Sequence, residues 1–400
     1  MFFKKYLYTY IKKKYYNDFA VEKKFFFNRK ILKVSDILKL NKEKKINKKA
    51  LNKIEILLKY INQKKFNNFE KKRIFKLVKS INYRELNFKM WLHIKNFFIL
   101  RGFFQISILC TNNALKNLKY EKVKIYNVEY ILSYCLLKND KKKLLEIKKS
   151  FWSFLFRYQI SLIAKLMSKI SGENNKFDLE NELKINQKYL SLIQNKNISL
   201  LGPQNIPKKE IAEISKKDEV IAMNYCENYS KYINKLVSIS YYSGRLLNFI
   251  LKENITIQKY NLKFISASST LNFDNFKIYR QDNILLYARP HNLQSVIFDL
   301  IIYEPRKIDI MGVDFFTSKN LYQKNYLSTK FENFDKNLFK NLSEQFCYSF
   351  CIHDVLQNFK IMKILYKKKL INFDQKTKKI IKLNELEYLK KIEKVWSKNL

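Results

Sequence analysis

The chain changes its hydrophobic rhythm once, near residue 195. Before that point apolar residues fall at three- and four-residue steps. Residues 36–63, DILKLNKEKKINKKALNKIEILLKYINQ, repeat leucine and isoleucine at this spacing, and residues 150–170, SFWSFLFRYQISLIAKLMSKI, do the same. Such positions collect on one face of a 3.6-residue helix, so this part predicts helices. The second is stopped by Gly172, because glycine takes the left-handed turn that closes a helix at little cost. No repeat period emerges, which argues against a solenoid.

After residue 195 short apolar runs alternate with amphipathic ones. Residues 197–214, NISLLGPQNIPKKEIAEI, read as a strand, a Gly-Pro turn and a helix. DEVIAMNY (218–225), LVSISYYSG (236–244) and NLKFISAS (261–268) read as strands. LQSVIFDLIIYEP (293–305) is helical in period and stopped by Pro305, and KIDIMGVDFF (307–316) is a buried strand running into a glycine turn. Strands alternating with helices predict a mostly parallel sheet covered on both faces. Ligands of such sheets bind beyond the carboxyl ends of the strands. Gly202, Asn224, Gly244 and Asp314 all come just after predicted strands. The expected organisation is an all-α region at 1–190, an α/β Rossmann-like domain at 195–375 and a C-terminal helix at 376–400.

Composition sharpens the boundary. Residues 1–200 hold 46 Lys+Arg and 15 Asp+Glu, a net of +31, against +13 for residues 201–400. All four prolines and three of the five glycines lie in the second half. The total of +44 has two readings: attraction to a polyanion, or the drift of an AT-rich coding sequence toward Lys, Asn, Ile, Phe and Tyr. The lysines are spread rather than blocked, which favours drift. The start, MFFKKYLYTYIKKKYY, has too short an apolar run for a secretory leader, and no uncharged stretch reaches the roughly 18–20 residues of a membrane span. GFFQISILCTNNAL (102–115) reads as a core helix. A cytoplasmic location is expected, with peripheral contact to an anionic membrane surface left open. Five cysteines without framework spacing fit a reducing compartment. Cys347 and Cys351 stand one helical turn apart near His353, but without a second ligand pair they read as buried thiols rather than a zinc site.

The chain has three histidines. His93, in MWLHIKN, reads as a packed helix residue. His291 follows Pro290 and is a candidate for a site wall. His353, in SFCIHDVLQNF, is followed by Asp354; if the segment is helical, the two side chains point about 100° apart. Asp354 then reads as a carboxylate at a helix start rather than a group orienting the ring. LLGPQNIP has one glycine and is not a dinucleotide fingerprint. It reads either as a phosphate-binding turn or as an ordinary strand-to-helix connection.

Taken in order, these segments resemble the bacterial sialyltransferases of glycosyltransferase family 42, and more loosely related glycosyltransferase-like proteins of surface-polysaccharide loci. LLGPQ sits where the family has Gly-Asn-Gly-Pro-Ser. VIAMNY resembles its asparagine-ended strand, and YYSGRLLNF its Tyr-Asn-Pro-Gly segment. ARPHNLQSVIFDL resembles its Arg-Ile-Thr-Ser-Gly segment and the following helix, IDIMGVDFF its Ile-Tyr-Leu-Ser-Gly-Ile-Asp-Phe-Tyr strand, and FCIHDVLQNFKIMKIL its histidine-led helix. Arg289 precedes Asp314 by 25 residues, the family's spacing.

The resemblance covers about residues 195–375. It implies a GT-A-variant sheet and an inverting, metal-independent transfer from a cytidine-monophosphate sugar to a glycan or glycolipid acceptor, with no cofactor and no nucleic-acid partner. It implies His353 as general base, with Tyr322 and Arg289 at the departing phosphate. Nucleotide-sugar contacts fall to Gly202, Pro203, Gln204, Asn224, Ser243, Gly244, Asn292, Gly312 and Asp314. Asp314 reads equally as a cap on its own turn. The chain departs from the family at Leu201, Ser243 and Phe316, which replace two asparagines and a tyrosine; Tyr326 lies close enough in sequence to supply the lost hydroxyl. These departures leave two rival readings: an inactive relative, or, on the charge of residues 1–190, a nucleic-acid-binding or organellar ribosomal protein.

Overall fold

The computed structural model describes residues 31, 33–36, 46–63, 66–172, 185–214, 216–225, 237–243, 246–247, 261–267, 276–278, 291–320 and 341–397. The helices that come first are α1 (Lys48–Ile61), α2 (Asn68–Ser80), α3 (Phe88–Ile99), α4 (Ile106–Tyr120), α5 (Val128–Lys138) and α6 (Lys141–Lys149). A 3-10 turn (Phe151–Leu155), α7 (Arg157–Ser171) and α8 (Gln187–Ile193) follow. Then come β1 (Asn197–Leu201), α9 (Lys208–Ile214), β2 (Glu219–Met223), β3 (Ile239–Tyr242), β4 (Phe264–Ala267), β5 (Phe276–Ile278), α10 (Asn292–Ile302) and β6 (Lys307–Met311). The chain closes with α11 (Leu342–His353), α12 (Val355–Lys367), β7 (Asn372–Phe373), α13 (Gln375–Ile381) and α14 (Glu385–Trp396).

With so few glycines and prolines, asparagine punctuates the chain. Its side chain caps the starts of α1, α2, α3, α8, α11 and α14, accepting from the third residue on, as Asn87 Oδ1 does from Met90 N at 2.8 Å. Asn139, Asn195, Asn224 and Asn261 take the left-handed conformation elsewhere left to glycine. Both uses follow from a short amide that bonds the nearby backbone.

Seven parallel strands form one sheet in the order β5-β4-β3-β2-β1-β6-β7. The α/β class expected from the alternating pattern is therefore present. β5 and β7, three and two residues long, escaped the sequence reading because runs so short carry no period. Successive strands β1 to β5 run outward on one side, and β6 returns to pair with the other side of β1. The direction of winding reverses between β1 and β6, and right-handed crossovers then put helices on opposite faces.

The strand residues divide accordingly. Ile198, Leu200, Ile239, Tyr241, Ile308 and Ile310 face a core shared with α1 to α8, α10 and the C-terminal helices. Leu201, Ala222, Tyr242 and Met311 face a smaller cluster containing Ile206 of the β1–α9 connection and Ile214 of α9. Burial on both faces explains the nearly continuous apolar strands. The composition boundary near residue 195 thus marks a change of element type, while the larger core runs from Ile54 to Trp396.

Three local expectations change. The helix read over 150–170 is broken: Phe151–Leu155 form the 3-10 turn, and α7 begins at Arg157, ending at left-handed Gly172 as expected. FCIHDVLQNFKIMKIL is two helices, because Asp354 takes a left-handed backbone (φ 40°) between α11 and α12. The C-terminal segment holds two helices, not one. Among the described residues no helix is long and apolar enough to cross a membrane.

The break at Asp354 is secured from far away in sequence. Its Oδ1 caps α12 by accepting from Gln357 N at 3.1 Å, and its Oδ2 lies 2.6 Å from Lys95 Nζ of α3, both side chains almost wholly buried. Removing one partner of a buried pair strands the other charge. Lys95→Met should therefore cost about 3–5 kcal/mol in denaturant unfolding. Adding Asp354→Asn, which keeps a cap and tolerates the left-handed turn, should recover much of that loss. A double-mutant cycle showing simple additivity would remove the pair from the account of the fold.

Candidate functional site

The winding reversal between β1 and β6 is where a doubly wound sheet opens a crevice at its carboxyl edge. Two glycines let the connections after β1 and β6 meet there. A Cβ on Gly202 would lie 2.5 Å from the Gly312 carbonyl oxygen, and one on Gly312, at φ 68°, would lie 2.6 Å from the Gln204 carbonyl oxygen. Gly202 N donates to Met311 O and Gln204 N to Gly312 O, each at 2.8 Å. The Gln204 amide donates to Asn320 O at 2.9 Å. Gly202, Gln204 and Gly312 thus join the two loops, and none of the three lines the pocket beside them.

That pocket, of about 100 Å³, is lined by residues from five elements and the turns beside them. Pro203 comes from the end of β1, Met223 and Asn224 from β2, Val313 to Phe316 from β6, His291 to Gln294 from the start of α10, and Val355, Asn358 and Met362 from α12. Five residues selected from the sequence, Pro203, Asn224, His291, Asn292 and Asp314, meet here. Ser243 stands behind Asn224: its N donates to Asn224 Oδ1 at 3.1 Å, and its Oγ accepts from Leu246 N at 3.3 Å. Arg289, Gly244, Tyr322 and Tyr326 lie outside the described residues.

Asp314 is occupied by its own turn. Its carboxylate accepts from Phe316 N at 3.0 Å, from Ser318 N at 3.2 Å and from the Ser318 hydroxyl. Burial raises its pKa above the ordinary carboxylate value against these bonds. Phe315 and Phe316 are both left-handed (φ 49° and 63°), a conformation that costs a bulky residue about 1–3 kcal/mol. C-terminal side chains hold the turn: Tyr388 Oη donates to Phe315 O at 2.9 Å, Trp396 Nε1 to Phe316 O at 2.7 Å, and Thr377 Oγ1 to Val313 O. The segment read as a trailing helix therefore supports a pocket wall.

The opposite wall is the first turn of α10. Its N-terminus carries no acidic residue, so its partial positive charge favours an anion. Gln294 in that turn is 1% exposed, and neither its amide oxygen nor its amide nitrogen has a partner among the described residues. Buried amides in native folds are nearly always satisfied, so Gln294 offers one acceptor and two donors to a pocket occupant. The sequence carried one sign of it: a glutamine within the otherwise mostly apolar helix NLQSVIFDLII. Asn358, also missed, bridges two histidines. Its Oδ1 accepts from His291 N at 3.2 Å, and its Nδ2 donates to His353 O and, at 3.2 Å, to Asp354 O.

His291 lines the pocket, and His353, last residue of α11, stands directly behind it, with ring centroids 5.1 Å apart and nearly perpendicular. Phe316 meets the His291 ring at the same distance. Burial, aided by the charge of a protonated His353, pushes the His291 pKa down to about 3. His93 is packed inside α3 near Phe97. Cys347 and Cys351 are buried free thiols, and burial raises the Cys347 pKa well above its ordinary value. Among the described residues no group of three or more His, Cys, Asp or Glu side chains could hold a metal ion.

The depressed His291 pKa makes a signed prediction. Between its folded value near 3 and its ordinary 6.5, the unfolded chain binds a proton that the fold rejects. Stability contributed by the neutral ring is present above about pH 6.5 and falls as pH drops through this window, by up to about 1.4 kcal/mol per unit. His291→Gln should remove that slope, so the mutant should gain on the parent in urea unfolding as pH is lowered. A pH-independent gap would show that the ring titrates normally. No family model matches the chain, and no curated protein or solved structure is similar enough to it to count as a match.

Proposed function

We propose that the chain is a sialyltransferase-like glycosyltransferase of the cytoplasm, built on a Rossmann-like, GT-A-variant sheet behind an all-α N-terminal region. It transfers a sugar, with inversion, from a cytidine-monophosphate donor to a surface-glycan acceptor. The observation that carries this reading is the pocket at the winding reversal. Pro203, Asn224, Asn292 and Asp314, picked from four separate sequence segments, line it together, and the Gln294 amide in its wall has no partner among the described residues.

In this reading the donor phosphate lies toward the first turn of α10, where helix N–H groups favour it, and Gln294 bonds the nucleotide or sugar. By the resemblance, His353 takes the proton of the acceptor hydroxyl as that oxygen attacks the anomeric carbon, and the bond to the phosphate breaks on the opposite side; because the His353 ring stands behind that of His291 and outside the pocket lining, this role requires the acceptor to approach from the α11 side. His291, with its proton affinity suppressed, is a poor base near neutral pH and suits a wall or hydrogen-bonding role. Arg289 and Tyr322, by the resemblance, meet the departing phosphate. Asn358 fixes the spacing of the two histidines through their backbones.

Cytidine monophosphate should raise the unfolding temperature of the full chain, since it binds the folded state. His353→Ala should lower transfer by a factor on the order of 10²–10⁴, the worth of a positioned base, while leaving that thermal shift nearly intact. Full transfer activity in the variant would remove His353 from the mechanism. A thermal shift without transfer from any donor would make the chain an inactive relative.

A second reading has an observation of its own. Tyr83, Arg84, Asn117, Tyr120, Glu121, Lys122 and Lys124, from the α2–α3 connection, α4 and the α4–α5 connection, line a cleft of about 530 Å³. Arg84 and Lys116 lie over the Tyr83 ring, each at 5.5 Å. Cations interleaved with aromatic rings suit a nucleic-acid strand. If this cleft defines the function, oligonucleotide affinity should fall steeply with salt, and Arg84→Gln with Lys122→Gln should flatten that slope. A flat slope in the parent protein would exclude it.

A further inference from the structure

We infer that the 3-10 turn Phe151–Leu155 is a docking point for an anionic phospholipid surface. The turn joins α6 to α7, and none of its five residues is buried. Phe151 is 75% exposed, the highest value among the exposed large apolar residues. Its ring meets Trp152 edge-on at 5.0 Å and Phe154 at 5.6 Å. Trp152 and Leu155 are half-buried and rest on the core, which fixes the base of the wedge while its tip stands in solvent. Exposing such a cluster to water is unfavourable unless another phase covers it.

The charges around the wedge identify that phase. Lys148 and Lys149 end α6 immediately before it, Arg157 begins α7 immediately after it, and Lys142 lies further back on α6; all four are exposed. The nearby carboxylate, Glu146, is paired with Lys143 at 2.6 Å. Phenylalanine and tryptophan at a membrane interface, rimmed by lysine and arginine, combine shallow apolar insertion with attraction to acidic headgroups. A nucleic-acid strand fits less well, because it stacks on separated ring faces and these rings pack against one another. The inference rests on this surface and is independent of the pocket chemistry.

The test uses the full chain with vesicles of phosphatidylcholine alone or mixed with phosphatidylglycerol. Binding should require the acidic lipid and weaken with salt. Lys148→Gln/Lys149→Gln should lower the partition by about 25-fold, roughly fivefold for each charge near the surface. The same change at exposed Lys48 and Lys49 of α1 should have much less effect, which separates docking from the general excess of charge. Phe151→Ser should lower the partition by about tenfold or more and leave the unfolding temperature unchanged.

Brominated lipid should quench fluorescence through Trp152, because Trp91 and Trp396 are buried. Equal loss from the two lysine pairs, or no quenching, would overturn the inference. So would an oligomer in light scattering that Phe151→Ser dissociates, since a second copy would then cover the wedge. A Phe151→Ser variant that loses oligonucleotide affinity but keeps vesicle binding would also overturn it.

Discussion

One almost wholly buried ion pair links two parts of this protein that lie far apart in sequence. Lys95 reaches from a helix in the first quarter of the chain to Asp354, 259 residues later. Asp354 is also where α11 stops and α12 starts, in a left-handed conformation a non-glycine residue adopts only with support. The same carboxylate neutralises Lys95 and caps α12. Without it the two helices lose the corner that sets His353 at the end of one and Asn358 in the first turn of the next. A charge pair so enclosed contributes little net stability compared with an apolar pair of equal shape. Its effect is to fix one arrangement of helices.

The pocket shows a similar division between strain and support. Its floor needs the loops after β1 and β6 in contact, and Gly202 and Gly312 allow this because neither has a Cβ to collide with the facing carbonyl. Its rim needs two phenylalanines in left-handed conformations, and three C-terminal side chains hold the carbonyls of that turn. Flexible recognition would not need such scaffolding. Of the buried polar atoms without a partner among the described residues, the two of the Gln294 amide belong to a residue that lines the pocket.

Much of this was legible in the sequence, for identifiable reasons. The β1, β2, β3, β4 and β6 strands announced themselves through unbroken apolar runs followed by turn residues, since a doubly covered sheet requires them. The search beyond strand ends found Asn224 and Asp314 because parallel strands deliver their carboxyl ends to one edge, and the resemblance added Pro203 and Asn292. Reading punctuation from glycine and proline alone missed what asparagine does in this chain, so several helix starts went unmarked; Asp354 was read as a helix-start carboxylate, but not as the break between two helices. Gln294 and Asn358 looked like isolated polar residues in apolar helices, and only neighbours from other elements show that one is unpartnered and the other holds two histidine backbones.

The sequence by itself determined the kind of layers: helices first, then a parallel sheet whose strands deliver their carboxyl ends to one edge. Those properties follow from local periodicity, which each segment carries alone. The tertiary structure decided which histidine lines the pocket, that the two glycines serve loop contact, and that the last thirty residues or so brace a wall of the pocket. It also decided that the regions before and after residue 195 share one core. Each of these depends on side chains far apart in sequence meeting in a space from which water is excluded, and no periodicity along the chain encodes where they meet.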